Sequence, residues 1–273
     1  MTRNEEELPS ATALLKSKIE RIAKYNAEDP ERLPGDRWIS MSNALTIAGH
    51  GLTLAEKRIV VLAASKINSR RPVNPMQPPK TKISAAEYAE AAEISMNTAY
   101  EQLQSAAKHL FERKIAFFEP AHMRDGKPIK PAKNVMRWVG RAHYQEREGW
   151  VELHWWPELV PYLFGLKKNF TSYQLKQASA LRSIYSWRLL ELLMRFKDRG
   201  WAEYTIEDFA TSMDATEKQQ TNFNNIKRRM IEPAVKELTE KDGWLVEWRP
   251  IKAGRRVIAL SFHFKRNPQG RLL

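Results

Sequence analysis

The sequence predicts an α+β protein built from two similar domains, each with three helices followed by a β-hairpin. A length of 273 residues and a hydrophobic content of 42% suggest two packed domains, since a domain typically has about 100–200 residues. Helical and strand-like patterns also run through the same order twice, which indicates an internal repeat. Three helices and a hairpin are the order of a winged helix, so we predict two tandem winged-helix domains.

The charge of the chain favours a polyanionic partner. The formal net charge is +13, and residues 1–35 contain six Lys or Arg against seven Asp or Glu. Residues 36–273 therefore have a net charge of +14, which places the basic surface on the part expected to fold. Such a surface attracts nucleic acid, so double-stranded DNA is the expected partner.

The composition disfavours several other classes of protein. The chain has no cysteine, so it has neither a disulfide framework nor a thiolate metal site. No apolar run approaches the roughly 18 residues of a membrane span, and the acidic N-terminus does not have the order of a signal peptide. We expect a soluble cytoplasmic protein with no membrane partner.

The N-terminal residues 1–36 are predicted to form a flexible arm. This segment is polar, and Pro34 and Gly35 interrupt it near its end. Leu15, Ile19 and Ile22 could line one short helix, but three apolar residues do not order a segment alone. The two expected domains are residues 37–165 and residues 166–273.

The elements of the first domain are predicted from helix caps and strand patterns. Thr53, Ser84 and Ser95 each stand where a hydroxyl group can cap a helix. The predicted helices are 54–67, 85–93 and 96–114, with a short strand at 81–84. Strand-like runs follow at 115–120, 135–144 and 149–156, and residues 157–178 are expected to form a helical connector.

The second domain repeats this order. A helix is predicted over 181–196 after Ser179, with Gly200 ending it. The remaining elements are a strand at 202–205, a helix at 206–214, a helix at 221–238, and strands at 244–248 and 256–264. A turn at Ala253-Gly254 joins the last two strands.

The segment 221–238 is the predicted DNA-contacting helix of the second domain. Its apolar residues recur at helical spacing along one stripe, namely Phe223, Ile226, Met230, Ala234 and Leu238. The other side carries groups suited to base edges and phosphates in a major groove, namely Asn224, Asn225, Arg228, Arg229, Glu232 and Lys236. An ordinary solvated helix face is the alternative interpretation. Pro233 should kink or tighten the last turns, because it removes a backbone hydrogen bond.

Further candidate contacts come from the hairpin and from the first domain. The tip of the second hairpin carries Lys252, Arg255 and Arg256. When Leu110 is aligned with Leu238, the corresponding face of the helix at 96–114 consists of Asn97, Glu101, Gln104, Ser105 and Lys108. That face is electrically neutral, whereas its counterpart in the second domain has three cations against one anion. We therefore expect most of the DNA affinity in the second domain.

Three stretches resemble the replication initiators of iteron-containing plasmids. They are LTLAEKRIVVLAASKI near the start, RSIYSWRLLELLMRF, and FNNIKRRMIEPAVKEL, in which Arg228-Arg229 followed by Pro233-Ala234 is the most specific part. The resemblance spans roughly residues 40–265 and implies two winged-helix domains. It also implies binding of repeated origin sites as a monomer, repression of the initiator's own promoter at an inverted repeat as a dimer, and recruitment of host helicase and initiator proteins. The first domain would then carry the dimer surface.

The residues favour no catalytic, cofactor or metal site. Gly126-Lys127 lacks the upstream glycine of a phosphate-binding loop, and the six histidines show no metal-ligand spacing. A recombinase or nuclease would need a nucleophile in a basic setting, for which Tyr185 beside Arg182 and Arg188 is the candidate. The position of Tyr185 on an apolar stripe favours core packing instead. A dedicated transcriptional repressor remains an alternative, since it needs the same DNA-contacting surface.

Overall fold

The fold is taken from a computed structural model of the chain, which describes residues 34–268 apart from 70, 72, 75, 119–121, 125–126, 130–131, 145–147 and 221. The predicted N-terminal arm, except for its last three residues, lies outside the described residues. Gly126, considered above for a phosphate-binding loop, also lies outside them. Residues Pro34–Asp36 form one 3-10 turn, after which the first strand begins.

The first half of the chain contains eight strands and five helices among the described residues. In order they are β1 (Trp38–Ser42), α1 (Asn43–Ile47), α2 (Leu54–Ser65), β2 (Lys80–Ser84), α3 (Ala85–Ala92), α4 (Met96–His109), β3 (Lys114–Phe118), β4 (His122–Arg124), β5 (Lys127–Ile129), β6 (Lys133–Arg137), β7 (Val139–Tyr144), β8 (Trp150–Trp155) and α5 (Val160–Leu163). Single 3-10 turns at Leu110–Glu112 and Pro157–Leu159 follow α4 and β8.

The second half repeats the plan with one unusual helix. Its elements are β9 (Phe170–Gln174), α6 (Leu175–Ser179), α7 (Ile184–Met194), β10 (Trp201–Thr205), α8 (Ile206–Ser212), α9 (Glu217–Gln220), α10 (Phe223–Ile226), a π-helical turn (Lys227–Ile231), α11 (Glu232–Asp242), β11 (Trp244–Ala253) and β12 (Arg256–Arg266). The segments α10, π turn and α11 run on from one another, and we call them together the 223–242 helix.

Each half contains a three-stranded sheet of the same topology, and the first half also has the two-stranded pairs β3-β6 and β4-β5. In the first half the strand order is β2-β8-β7, and in the second it is β10-β12-β11, with every pair antiparallel. In both, the strand before the short helix pairs with the last strand of the hairpin. The predicted α+β class and the repeat of two winged-helix domains are therefore confirmed.

Local hydrogen bonds explain why the predicted helices of the first half begin where they do. The hydroxyl groups of Thr53 and Ser84 accept from the backbone N–H of Glu56 and Glu87, whose carboxylates bond back to the cap residues. These are capping boxes, which satisfy N–H groups that the first turn leaves free. The hydroxyl group of Ser95 caps α4 without a return bond, accepting from the N–H of Thr98, so all three predicted caps are confirmed.

The single strand predicted over 135–144 is wrong. The run divides at Trp138 into β6, which pairs with β3, and β7, which pairs with β8. Trp138 is buried, and its indole N–H donates to the carbonyl oxygen of His50 at 2.8 Å. The buried ring thus holds the chain at the point where it passes from one sheet to the other.

The helical connector predicted over 157–178 is also only partly right. Short helical turns occupy 157–163, but β9 and α6 follow. β9 pairs antiparallel with β1, with Ser40 opposite Ser172. The two strands of this pair lie on opposite sides of the expected domain boundary between residues 165 and 166. That boundary stays a prediction.

Two further boundaries in the second half differ from expectation. Helix α7 begins at Ile184, because Ser183 rather than Ser179 provides its N-terminal cap. Leu181, predicted within the helix, precedes it and is still fully buried. The hairpin turn consists of Gly254 and Arg255, one residue later than predicted, and Gly254 has a φ of 60°. A glycine at the first loop position is favoured in a tight two-residue hairpin.

Candidate nucleic-acid interface

The 223–242 helix presents one buried line and one exposed line of side chains. Every fourth residue from Ile226 is buried, namely Ile226, Met230, Ala234, Leu238 and Asp242. Every fourth residue from Asn224 is exposed, namely Asn224, Arg228, Glu232, Lys236 and Glu240. Arg229 is also exposed, and Asn225 is half-buried. The predicted DNA-contacting groups therefore lie on the outer side of a helix that is anchored in the core.

The middle of this helix is a π turn instead of the kinked or tightened turn expected from Pro233. The backbone N–H of Glu232 bonds to the carbonyl oxygen of Lys227, five residues back. Pro233 follows directly, has no N–H, and its ring would clash with the carbonyl group of Arg229 in a regular α-helix. The helix widens here, and Arg228 and Arg229 both lie within the widened turn.

The two arginines of this turn are open to a ligand. Within the part of the chain that the structure describes, the side chains of Arg228 and Arg229 make no hydrogen bond or ion pair. The neighbouring charges are paired at the surface: Lys227 lies 3.5 Å from Glu232, and Lys236 lies 3.8 Å from Glu240. Exposed pairs of this kind contribute little to stability and exchange readily for another partner. This outer side can therefore receive an anion.

The second hairpin places three further cations at its tip. β11 and β12 form a ladder that reaches from Trp244 to Arg266 and closes at Gly254-Arg255. Lys252, Arg255 and Arg256 are all exposed. Arg256 is 3.9 Å from Glu207, but both side chains are largely in solvent. The predicted cations of the wing are thus brought together, on a separate element from the 223–242 helix.

The predicted face of the first domain is exposed as well. Asn97, Glu101, Gln104, Ser105 and Lys108 are all exposed on α4, opposite its buried residues. Sequence reasoning missed Tyr100 on this face, which is 43% exposed. Its ring stands where a β-carbon at Gly149 would lie, at the end of the loop between β7 and β8. Tyr100 thus links α4 to the first hairpin, and its exposed helical spacing from Gln104 could have indicated it.

A buried polar network joins the two halves of the chain. The carboxylate of Glu191 accepts from Lys57 Nζ at 2.7 Å, Tyr173 Oη at 2.7 Å and Arg188 Nη1 at 2.6 Å. The Lys57, Arg188 and Glu191 side chains are fully buried. His50 lies beside them, with its Nδ1 3.0 Å from Lys57 Nζ and 3.0 Å from Arg188 Nη1. Two cations and one anion therefore share a closed site with a histidine.

The network also holds the loop between α1 and α2 against the second half. Arg188 Nη2 donates to the carbonyl oxygens of Thr46 and Ala48 at 2.9 and 2.8 Å. The carboxylate of Asp214 accepts from the backbone N–H groups of His50 and Gly51, each at 3.1 Å. These bonds fix the first half relative to the helices of the second. Arg188 is consequently not positioned to activate Tyr185, which packs half-buried against the core.

Burial and the neighbouring charges set the protonation of this network. Burial, reinforced by Arg188 and Lys57, lowers the pKa of His50 well below its usual value. The neutral ring can then donate from Nε2 to the carbonyl oxygen of Leu45 at 2.8 Å and accept at Nδ1. Burial lowers the pKa of Lys57 to about 8, against the opposing effect of Glu191. Burial disfavours ionised Glu191, but Lys57 and Arg188 outweigh it and lower its pKa.

Sequence reasoning did not find this network. Its signal was the presence of Lys57 and Arg188 among apolar residues of α2 and α7, where a charged side chain becomes buried. Arg188 and Glu191 are three residues apart on α7, but Lys57 and His50 lie in the other half of the chain, so no local pattern joins the whole network. In the described part of the chain, no group of His, Asp and Glu could hold a metal ion. No helix there is long and apolar enough to span a bilayer.

Known proteins are similar to this chain in sequence or in fold. An uncharacterized 27.6 kDa protein of Escherichia coli is 26% identical over 237 residues, covering 84% of this chain and 95% of that protein. A replication initiation protein of Escherichia coli is 24% identical over 203 residues, covering 72% of this chain and 60% of that protein. The crystal structure of the Pi initiator protein in complex with iteron DNA matches with a TM-score of 0.68 and 22% identity. That match covers 86% of this chain and 99% of the Pi chain.

Two sheets of the same topology, each with its helices and hairpin, define a protein with tandem winged-helix domains. Residues 38–194 match the sequence model described as Initiator Replication protein, WH1, and residues 205–264 match that of Initiator Rep protein, WH2. The chain belongs to this family of replication initiators. The resemblance seen in the three sequence stretches is thereby confirmed.

Proposed function

We propose that this protein initiates plasmid replication by binding repeated double-stranded sites, the iterons, in a replication origin. The observation that carries the proposal is the pair Arg228 and Arg229, exposed and unpaired among described residues on a core-anchored helix of the second winged-helix domain. Family membership supplies the biological context. The Pi initiator protein, which shares this fold over most of the chain, was solved with iteron DNA.

Each surface has a separate task in this proposal. An arginine offers a planar fork of donors that matches the two acceptors of guanine in the major groove, so Arg228 and Arg229 select bases. Asn225, Glu232 and Lys236 flank them. The hairpin cations Lys252, Arg255 and Arg256 contact phosphates, which adds affinity without sequence preference.

The first domain makes accessory contacts through the face of α4 and carries the self-association surface. Because this face is electrically neutral, we assign it the smaller share of the DNA affinity. The family resemblance supports a dimer that represses the initiator's own promoter, and recruitment of host helicase and initiator proteins. Chemistry on DNA or nucleotide is no part of the proposed role.

Footprinting on the DNA that flanks the gene tests this proposal. We expect protection of several tandem repeats, with weaker protection of an inverted repeat near the promoter. The Arg228→Ala/Arg229→Ala double variant serves as the control and should lose the repeat footprint. Protection of a lone inverted repeat would instead identify a dedicated transcriptional repressor.

Incubation with ATP, and separately with supercoiled origin DNA and Mg²⁺, tests the absence of catalysis. We expect neither hydrolysis nor nicking above a control without protein. Activity that co-purifies with the protein and disappears in a Tyr185→Phe variant would favour the recombinase or nuclease alternative.

A further inference from the structure

The exposed and buried lines of the 223–242 helix each consist of residues four apart, and in a regular α-helix such residues do not stay on one side. Ile226, Met230, Ala234 and Leu238 are all essentially inaccessible to solvent, although each is four residues from the next. An α-helix turns about 100° per residue, so each step of four overshoots a full turn by about 40°. Over three steps the drift would reach about 120° and carry Leu238 away from the core.

The π turn removes this drift. A turn closed by a bond from residue i to residue i−5 accommodates one more residue than an α-helical turn, which subtracts about 100° of rotation. About 20° of drift remains between Ile226 and Leu238, so both stay buried. The same correction applies to the outer side, where Asn224, Arg228 and Lys236 remain in one line.

Pro233 is the residue that favours the wide turn. In a regular helix the N–H of residue 233 would bond to the carbonyl oxygen of Arg229, and proline has no N–H to offer. The side chain of Pro233 is exposed, so the core does not require its ring. Its backbone effect, unlike its packing, acts directly on the turn that carries both arginines.

We infer that Pro233 is a positioning residue for base selection. By preventing the α-helical bond to Arg229, it maintains the π turn, which keeps Arg228 in line with Lys236 and Arg229 beside it on the same turn, so that one groove receives all three. The inference rests on the proposed DNA-binding function and adds a residue that touches no DNA itself. In this inference, the base specificity of the 223–242 helix depends partly on the π turn of its backbone.

The test uses the full chain with Pro233→Ala and, as a second variant restoring the same N–H, Pro233→Ser. The matched control is Pro161→Ala, an exposed proline in the first turn of α5 in the other domain. Binding is measured on the specific site, on the set of its single-base-pair changes, and on unrelated duplex. Amide hydrogen exchange of residue 233 reports whether its new N–H is hydrogen-bonded.

In Pro233→Ala we expect the N–H of residue 233 to be protected from exchange. We also expect the preference at the base pairs that Arg228 and Arg229 select to fall about tenfold, the size of one lost base contact. Binding to unrelated duplex and the Pro161→Ala control should match wild type. A protected N–H with unchanged base preferences would overturn the inference, and so would an unprotected N–H with the π turn intact. A wild-type protein without preference in the same duplex set would overturn the proposed function itself.

Discussion

The outer face of α4 and that of the 223–242 helix occupy the same position in two domains of the same topology, yet they differ in charge and in backbone. The face of α4 has one acidic and one basic residue, Glu101 and Lys108, on a regular helix. The 223–242 helix presents Arg228 and Arg229 on a π turn. The comparison teaches that one winged-helix scaffold can carry faces that differ in charge and in local backbone, the two properties that we expect to set affinity and selectivity for DNA.

The largest effect is expected at the network that sets the two faces relative to each other. Glu191→Ala would leave Lys57 and Arg188 buried without their shared carboxylate. Removing one partner of a buried ion pair typically costs about 3–5 kcal/mol. Chemical denaturation should show that loss, whereas Glu240→Ala on the exposed line should change the free energy of unfolding by less than about 0.5 kcal/mol. Equal stability of the two variants would mean that the network does not hold the halves together.

The next effect directly tests the difference between the faces. Arg228→Ala and Arg229→Ala should each be measured on the specific site and on unrelated duplex at several salt concentrations. We expect at least one to lose about 1–3 kcal/mol on the specific site alone and to relax preference at one base position. Circular dichroism controls for the helix. Two folded variants that bind like wild type would show that this helix does not contact bases.

Lower pH should weaken the connection between the halves. The pKa of His50 is lowered in the folded state, so below about pH 6.5 the unfolded chain binds a proton that the folded chain does not. Stability therefore falls as pH decreases through that range, by up to about 1.4 kcal/mol per pH unit. Denaturation at pH 7 and pH 5.5 measures the loss. His50→Gln should be less stable at pH 7 but should lack this part of the pH dependence. If the stability of that variant fell with pH as steeply as that of wild type, a group other than His50 would be responsible.

The smallest expected effect is on non-specific affinity, and it compares the phosphate contacts proposed for the two domains. Arg255→Ala should weaken binding to all sequences about equally and reduce the slope of log affinity against log salt by about one unit. Lys108→Ala on the face of α4 should change affinity and slope less than Arg255→Ala does. The reverse order would place the main electrostatic contact in the first domain.

Local signals in the sequence predicted most of the fold. Hydroxyl groups at Thr53, Ser84 and Ser95 marked helix starts, because a cap and its partner lie three residues apart. The outward position of Arg228 and Arg229 followed from the apolar spacing around them. That spacing also contained a signal for the π turn, since a strict interval of four does not fit a regular helix.

Contacts between distant parts of the chain were not predictable in this way. β1 and β9 pair across about 130 residues, and each strand is only five residues long. Glu191 also has one remote partner, since Lys57 lies in the other half of the chain, although Arg188 is only three residues away on the same helix. Neither a period nor a cap records such pairings, because they are set by tertiary packing.

The junction between β1 and β9 has the form of an isologous contact, in which one patch meets its own equivalent. Ser40 and Ser172 are each the third residue of their strand, and their hydroxyl oxygens lie 2.6 Å apart. Arg58 and Arg188, each the fifth residue of its helix, reach a carbonyl group in the opposite half. The chain thus meets itself as the subunits of a symmetric dimer do. Because the two halves are covalently joined, this association does not depend on protein concentration.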